Sequence, residues 1–338
     1  KKSRALEGWR HERWGATASG PVVLPKLYNG RSRTFWVFGY EGLYILRNLN
    51  GTYNVPTDTQ RRGDFSELLK INSRYQIYDP MTIRPAPAAG HFDRSPLPGN
   101  VIPAARLDPM ALKLLEYWPK ANQAGTADFR QNFFRTRDIN RDDRNMIGKI
   151  DHNFSERHRI FFRLNNNQHD NKQDTLPGLA SGTILDRTDW GTMLDDVYVF
   201  NAHTLLNVRY GLTYEDDATS RRSQMMDLTS LGWPQSLVNE INTKSTAAGI
   251  AFPQISVDGL QKLGDAGGSR VGTIYHTWAG TLTRMTGGHS LRMGGEFRLQ
   301  RENGFNYGAV SPNLTFSTAW TRGPREDSTG APNGVGQG

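Results

Sequence analysis

The clearest pattern in the chain is an alternation of apolar and polar residues over residues 145–168. In the first run Met146, Gly148, Ile150 and Phe154 share one parity, and in the second run Ile160, Phe162 and Leu164 do so. Charged residues occupy the other parity of both runs. Because successive side chains of a strand point to opposite faces, this pattern predicts a β-hairpin with a break at 153–157.

The same hairpin pattern returns twice further along the chain. It covers 190–200 and 204–214 around a break at 201–203, and then 273–284 and 290–301 around a break at 286–289. Single strands are predicted at 12–23, 34–44 and 313–321, which gives nine candidate strands in all. The chain is therefore predicted to be all-β and antiparallel.

Two architectures produce such alternation. A soluble sandwich buries the apolar face in its core, whereas a membrane barrel exposes it to lipid. The predicted strands have about nine to eleven residues, the length that spans a bilayer when tilted. Their turns are short, while the connections at 168–187 and 215–271 are long. This asymmetry is typical of a barrel and favours an antiparallel transmembrane β-barrel fragment, an open curved sheet with long extracellular loops that carry short helices.

Alternation is absent from residues 45–143, where Pro, Gly, Asp and Arg dominate. We expect this segment to be a long extracellular loop that folds as a cap. It contains a predicted helix over 108–118, with Asp108 as N-cap, Pro109 at the first helical position and Pro119 after the last turn. A second, shorter helix is predicted to open at 64–67.

Composition narrows the choice further. Only 36% of residues are hydrophobic, and there are 35 Gly and 17 Pro, which fits strands joined by long polar loops. No apolar run approaches the roughly eighteen residues of a membrane-spanning helix. The absence of Cys excludes disulfides and thiolate zinc sites. The net charge of +8 is spread along the chain, so no nucleic-acid partner is expected. Neither end looks like a natural terminus, and we expect an internal fragment.

Several segments, in this order, resemble a known family. They are RWGATASGPV, NGRSRTFWVFGYEGL, VPTDTQRRGDFS, LDPMALKLLEYWP, IDHNFSERHRIFFR, TLLNVRYGLTY and HSLRMGGEFR. They resemble TonB-dependent outer-membrane receptors of the Oar-like, carboxypeptidase-regulatory-like domain-containing type. The resemblance covers nearly the whole chain, 1–338.

This resemblance implies a barrel of about 22 strands with a plugged lumen in the bacterial outer membrane. The implied partners are outer-membrane lipid, the TonB complex, the protein's own plug domain and an extracellular ligand. The plug, the TonB box, the N-terminal domain and the C-terminal strands would lie outside this fragment. The short turns would be periplasmic.

Two groups of residues are candidates for contact with a ligand or with the plug. The first comprises charges predicted to face the lumen: Lys149, Asp151, Arg159, Arg163, Arg209, Glu215, Arg292, Glu296 and Arg298. They could bind a polar substrate or the plug, or only solvate a wet interior and stabilise the sheet through cross-strand pairs. The second comprises loop aromatics: Phe92, Tyr117, Trp118, Phe133 and Phe134. Packing within the cap explains these equally well.

Other chemistry finds little support. Asp138, Asn140, Asp142 and Asp143 resemble the start of a calcium loop, but its Gly and its final Glu are missing. His152 and His158 flank one turn. There is no nucleophile elbow, P-loop or dinucleotide motif, so no enzyme, cofactor or metal is expected.

The sequence therefore predicts an outer-membrane receptor that takes up a substrate with energy coupled through TonB. Two alternatives remain: a non-transporting adhesin or structural barrel, and a secreted all-β glycan-binding protein. Siderophores, oligosaccharides and peptides all remain open as substrates.

Overall fold

The computed structural model describes residues 8–308 and 310–331 and is built around one eight-stranded sheet. The strands are β1 Trp9–Pro21, β2 Val23–Leu24, β3 Tyr28–Asn29, β4 Thr34–Tyr53, β5 Tyr78–Pro85, β6 Phe92–Pro96, β7 Phe133–Ser155, β8 His158–Gln173, β9 Thr183–Asn201, β10 Thr204–Arg221, β11 Gln254–Val257, β12 Ser269–Thr286, β13 His289–Asn306 and β14 Asn313–Phe316. The main sheet has the order β1-β4-β7-β8-β9-β10-β12-β13, antiparallel throughout. The prediction of an open antiparallel sheet is confirmed.

The register of the main sheet places most of its large apolar side chains on one face and most of its charges on the other, with the pair of His158 and Asp196, at 2.9 Å, as an exception on the apolar face. One row of paired residues crosses seven strands: Trp36, Ile150, Phe162, Leu194, Tyr210, Trp278 and Phe297. All three predicted hairpins thus contribute to a single apolar face. We call the opposite side the polar face.

The strands are longer than their alternation predicts. β4 has 20 residues and β7 has 23, so the loop between them is 54–132 and not 45–143. The connections predicted at 168–187 and 215–271 likewise shrink to 174–182 and 222–268. At this end the ladder is polar on both faces; for example, Asp142 lies opposite Asp170, and Asp143 opposite His169. Backbone hydrogen bonds between strands do not require apolar and polar residues to alternate. The alternation in the sequence therefore ends before the strands do.

The ninth predicted strand belongs to a different sheet. Residues Asn313–Phe316 are extended, but they pair in parallel with Gln254–Val257 and do not join the main sheet. Two backbone bonds continue this ladder, from Gln254 N to Pro312 O at 3.0 Å and from Asp258 N to Phe316 O at 3.0 Å. Of the nine candidate strands, eight form the main sheet.

The helices all lie in the connections. They are α1 Ser66–Leu69, α2 Pro109–Leu115 and α3 Gln235–Lys244. α1 lies where the short helix was predicted, and α2 begins as predicted but ends at Leu115 and not at Trp118. α3 was missed although Pro234 precedes it and a Glu240–Lys244 pair stabilises its last turn at 2.6 Å. Within the described residues no helix has both the length and the apolar character needed to cross a membrane.

The hydrophobic core lies at one end of the sheet. Residues 54–132, 174–182, 222–268 and 310–331 fold together into a body that we call the cap. Its core contains Val55, Leu114, Trp118, Leu176, Ala180, Leu228, Leu231, Val238, Ile250, Phe252, Ile255 and Leu263, together with Phe133 at the start of β7. In the described chain Phe133 is the only buried hydrophobic residue of the main sheet. The apolar face is thus not covered by a second layer, as a sandwich would require.

Candidate functional site

The cap is closed at its base by a buried asparagine. Asn132 and Val55 stand where β7 and β4 diverge, and both are buried. The Asn132 side chain accepts from Val55 N at 2.9 Å and donates to Val55 O at 2.7 Å. A side chain thus replaces the ladder hydrogen bonds at the point where the strands separate, and both backbone groups of the buried Val55 are paired.

A second buried asparagine organises the part of the cap around α1. Asn100 adopts a positive φ of 62° and is fully buried. Its amide donates to Tyr75 O at 2.9 Å and to Phe65 O at 3.1 Å, and its oxygen accepts from Ile77 N at 2.6 Å. Asn tolerates the left-handed region better than most residues, so one residue supplies both the turn and the hydrogen bonds.

Arg94 fixes the C-terminal segment to the rest of the cap. Its guanidinium donates to the backbone oxygens of Ala319 at 2.9 Å, Trp320, Arg322 at 3.1 Å and Arg325 at 2.7 Å. Burial lowers the pKa of Arg94 from its ordinary value. Four carbonyl oxygens compensate the buried cation, so residues 318–325 form an integral part of the cap.

Helix α2 is held at both ends. The Asp108 carboxylate accepts from Met110 N at 2.8 Å and Ala111 N at 3.0 Å, as predicted for an N-cap. At the other end the Arg61 guanidinium donates to Trp118 O at 2.9 Å and Pro119 O at 2.8 Å, and also to Leu115 O. Of these oxygens, that of Leu115 belongs to the last turn of α2, where a cation complements the helix dipole, and the other two belong to the turn that follows the helix.

An apolar pocket of about 310 Å³ lies between α2 and the β11–β14 ladder. Its apolar wall includes Ile102, Leu107, Leu112, Val257, Leu260 and Phe316. Its polar side chains are those of Gln60, Arg61, Asp108 and Asp258. The pocket lies within the cap and is lined mainly by hydrocarbon, and it is the candidate ligand site.

The loop aromatics predicted to contact a ligand are distributed unevenly around this pocket. Trp118 lines it, and its indole N–H donates to Gln261 O at 2.7 Å. Phe133 is a core residue, and the Tyr117 ring packs against Phe252 at an interplanar angle of 54°, with ring centroids 4.6 Å apart. Phe92 is exposed on β6, and the backbone of Phe134 pairs with Asn122. The aliphatic wall was missed because isolated Leu, Ile and Val residues in a polar loop carry no periodic signal.

All nine charged residues predicted to face the lumen share the polar face, according to the strand register. Ion pairs join Lys149 to Asp151 at 2.7 Å and Arg298 to Glu296 at 2.5 Å. Arg209 pairs with Asp195 at 2.7 Å. These pairs fit the role of stabilising a wet surface, and contact of this face with substrate or plug remains a prediction.

The calcium-like segment is part of β7. Asp142 pairs with Arg144 at 3.1 Å, and Asp143 lies on the other face, where it pairs with Arg141 at 2.7 Å. Asp143 therefore points away from Asp138, Asn140 and Asp142, which share a face, as expected for successive residues of a strand. His152 and His158 do not contact each other, because the Phe154 ring lies between them at 4.3 Å and 4.8 Å.

One His and two acidic residues meet on the cap surface. Among the described residues His91, Glu326 and Asp327 can bring one ligand atom each within 4.8 Å of the others. His91 Nδ1 is already 2.6 Å from Glu326 Oε1, and both acids are exposed. This geometry is that of a surface ion pair.

Comparison with known proteins identifies the class. The chain matches the family model of the outer membrane beta barrel domain over residues 2–336. The protein therefore belongs to the outer membrane β-barrel family, and its place is the bacterial outer membrane. This excludes the secreted, soluble alternative.

Among solved structures, the outer membrane transporter YddB from Escherichia coli is similar, with 8% sequence identity and a TM-score of 0.46. The match covers 86% of this chain and 26% of YddB, so the chain spans about a quarter of that transporter's length. No curated protein matches the sequence significantly.

Proposed function

We propose that this chain is part of an outer-membrane receptor of the Oar-like, TonB-dependent type that captures a substrate outside the cell and passes it inward with energy coupled through TonB. The observation that carries this proposal is the asymmetry of the sheet. Three separate loops and the C-terminal segment build a cap with its own core at one end, while β7–β8, β9–β10 and β12–β13 are joined by short turns at the other. A barrel that only spans a membrane needs no such body.

The apolar face supports an orientation with the cap outside the cell. On β9 this face carries Trp190, Leu194, Tyr198 and Phe200, and between them Asp196, which pairs with His158 of β8 at 2.9 Å. From Trp190 to Phe200, at about 3.3 Å per residue and a tilt of about 40°, the span is roughly 25 Å, the height of a barrel's lipid-facing band. Beyond Trp190 the same face carries Thr188 and Asp186 and no further aromatic residue, which supports placing the cap in water above the membrane.

The polar face would then line the lumen and meet the plug. Charged side chains on this face are accessible, since the Arg209 side chain is 47% exposed and that of Arg298 is 73% exposed. Such side chains are available for contact with a plug domain or a polar substrate.

The test uses the full-length protein in its own outer membrane. We expect it to fractionate with outer membranes, to show heat-modifiable mobility in detergent gels, and to cross-link to the periplasmic domain of TonB. Deleting the predicted TonB box should abolish the cross-link and leave membrane assembly unchanged. A protein that assembles but never cross-links to TonB would be a non-transporting adhesin or structural barrel, and the transport proposal would fall.

A further inference from the structure

We infer that the pocket in the cap binds an uncharged, hydrocarbon-rich small molecule. A cavity of 150 Å³ holds benzene. The pocket has about 310 Å³, which suits a molecule of roughly ten to fifteen carbons on the same scale. This inference rests on the proposed receptor function in one respect, namely that the ligand reaches the cap from outside. The binding step itself does not depend on TonB.

The polar side chains of the pocket wall are already engaged. Arg61 donates to Trp118 O and Pro119 O at the end of α2, at 2.9 Å and 2.8 Å. The Asp108 carboxylate caps the start of the same helix. Asp258 accepts from Thr318 N at 3.0 Å. Gln60 Oε1 accepts from Thr57 N at 2.9 Å. These hydrogen bonds hold the cap together and direct the Arg61 guanidinium to backbone oxygens, while the remaining oxygens of Asp108 and Asp258 belong to exposed residues.

The polarity of the ligand follows from the scarcity of free polar groups on the pocket wall. A hydroxyl, amide or carboxylate that enters the pocket loses its water and finds few free partners, which costs about 1–3 kcal/mol per neutral group and more for a charge. Hydrocarbon surface gains about 25 cal/mol per Å² on leaving water. The wall of Ile102, Leu107 and Val257 therefore selects for apolar molecules and against charged ones.

The pocket also has an open mouth. Leu112 on α2 is 40% exposed, and Phe316 on β14 is exposed as well. Asp108 and Asp258 are exposed pocket-lining residues in contact with solvent. An apolar molecule that arrives from outside can thus enter without unfolding the cap, and it would cover the two exposed apolar side chains.

The pocket exists before any ligand binds. Its walls come from loop 54–132, from β11 and from β14, which are remote in sequence. The β11–β14 ladder and the Arg61 hydrogen bonds fix these segments to one another, and Leu114, Trp118 and Ile255 belong to both the wall and the core of the cap. A site that is already ordered loses little conformational entropy on binding, which favours affinity.

The 338-residue sequence contains no cysteine, so a thiol introduced here can be used for a protection experiment, with the full-length protein lacking that introduced thiol as the measure of background labelling. Leu112→Cys places a thiol on the pocket wall, and Leu237→Cys on α3 provides a matched control, since Leu237 is 36% exposed and does not line the pocket. The full-length protein in intact cells reacts with a membrane-impermeant maleimide. The probes are naphthalene, which is apolar, and 1-naphthoate, which has the same rings and one negative charge.

Naphthalene should slow labelling of Leu112→Cys about tenfold at roughly ten times its dissociation constant, because only the empty site reacts. 1-Naphthoate should give no protection, and neither probe should protect Leu237→Cys. Ile102→Trp, which fills the pocket, should remove the protection in a Leu112→Cys background.

Three outcomes would overturn the inference. The first is equal protection of Leu112→Cys by naphthalene and 1-naphthoate, and the second is equal protection of Leu112→Cys and Leu237→Cys. The third is a Leu112→Cys thiol that does not react with the maleimide even without a probe, because another part of the chain covers it. Failure of TonB cross-linking would leave the protection result intact, so the two proposals fail separately.

Discussion

The main sheet and the cap both carry many large apolar side chains, but the sheet exposes them and the cap buries them. On the apolar face of the sheet Phe297 is 63% exposed, whereas in the cap Phe252 is 1% exposed. Fully burying a side chain of this kind contributes about 1.5–3 kcal/mol in water. The cap obtains this contribution from protein packing. The apolar side chains of the sheet are not buried by protein, and we propose that membrane lipid covers them. Each region therefore suits a different solvent.

The two regions also satisfy their backbones differently. In the sheet the ladder pairs successive N–H and C=O groups across eight strands. In the cap the chain is irregular, and side chains supply the missing partners: Asn132 for Val55, Asn100 for Tyr75 and Ile77, and Arg94 for the C-terminal segment. The cap therefore depends on a few particular polar residues, while the sheet depends on its pattern.

The largest expected effect comes from opening the core of the cap. Phe252→Ala should destabilise the cap by about 3–5 kcal/mol, because it leaves a cavity in a close-packed core. Limited proteolysis of outer membranes should then cut the cap while the strands stay protected. Phe162→Ala on the apolar face is the matched control and should leave cap proteolysis unchanged. Equal cleavage in both variants would contradict the division into two regions.

A charge introduced on the apolar face tests whether lipid contacts this face of the sheet. Leu194→Arg places a cation in the middle of the proposed lipid-facing band, at a cost of about 2–4 kcal/mol. We expect a loss of heat-modifiable, folded protein in the outer membrane. Thr281→Arg puts the same side chain on the polar face of the same sheet and should assemble normally. If the two variants assemble equally well, lipid does not contact the face that we assign to it.

The buried asparagine at the base of the cap gives a smaller effect. Asn132→Ala leaves the N–H and C=O of Val55 unpaired and should cost about 1–3 kcal/mol for each group. Asn122 makes the same pair of bonds to Phe134, at 2.8 Å and 2.7 Å, but it is exposed. Asn122→Ala should therefore cost little, since water replaces the side chain. Hydrogen exchange at residues 54–57 distinguishes the two variants.

The smallest effect expected is a dependence on acid at the edge of the cap. Hydrogen bonds from Arg106, at 2.6 Å and 2.8 Å, hold the pKa of Asp79 below its usual range. A carboxyl with a depressed pKa stabilises the folded state above its unfolded pKa of about 3.9, and this stability is lost as the pH falls through the folded pKa. Proteolysis near the β5–β6 hairpin should increase below about pH 4.

Asp79→Asn provides the control for this titration. The amide cannot ionise, so the variant should open to a similar extent at pH 5 and pH 3. A wild-type protein whose hairpin is cut equally at both pH values would show that the Asp79–Arg106 pair does not stabilise the cap.

Much of the fold could be predicted because its signal is local. The hairpin at 145–168 is visible in Met146, Ile150, Phe162 and Leu164, and the start of α2 is visible in Asp108 and Pro109. The extent of the strands could not be predicted, since Asp142 and Asp170 pair in a ladder that is polar on both faces. The sequence placed residues 313–321 in the barrel, but β14 pairs instead with β11, a choice that only packing in the cap decides.

The candidate site divides in the same way. The alternation along each predicted strand placed the nine charged residues on one face, and in the strand register they lie on the same face of the sheet. No local sequence pattern predicts the pocket. Its lining residues come together only through contacts between segments remote in sequence, as Arg61, Leu112, Val257 and Phe316 show.

Taken alone, the sequence determined the faces of the sheet and the class of protein, since a strand's side chains alternate whatever surrounds it. The tertiary structure decided where strands end, how separate loops merge into one core and which side chains form a pocket. These features depend on close packing between segments far apart in the chain, and no periodicity along the chain records such contacts.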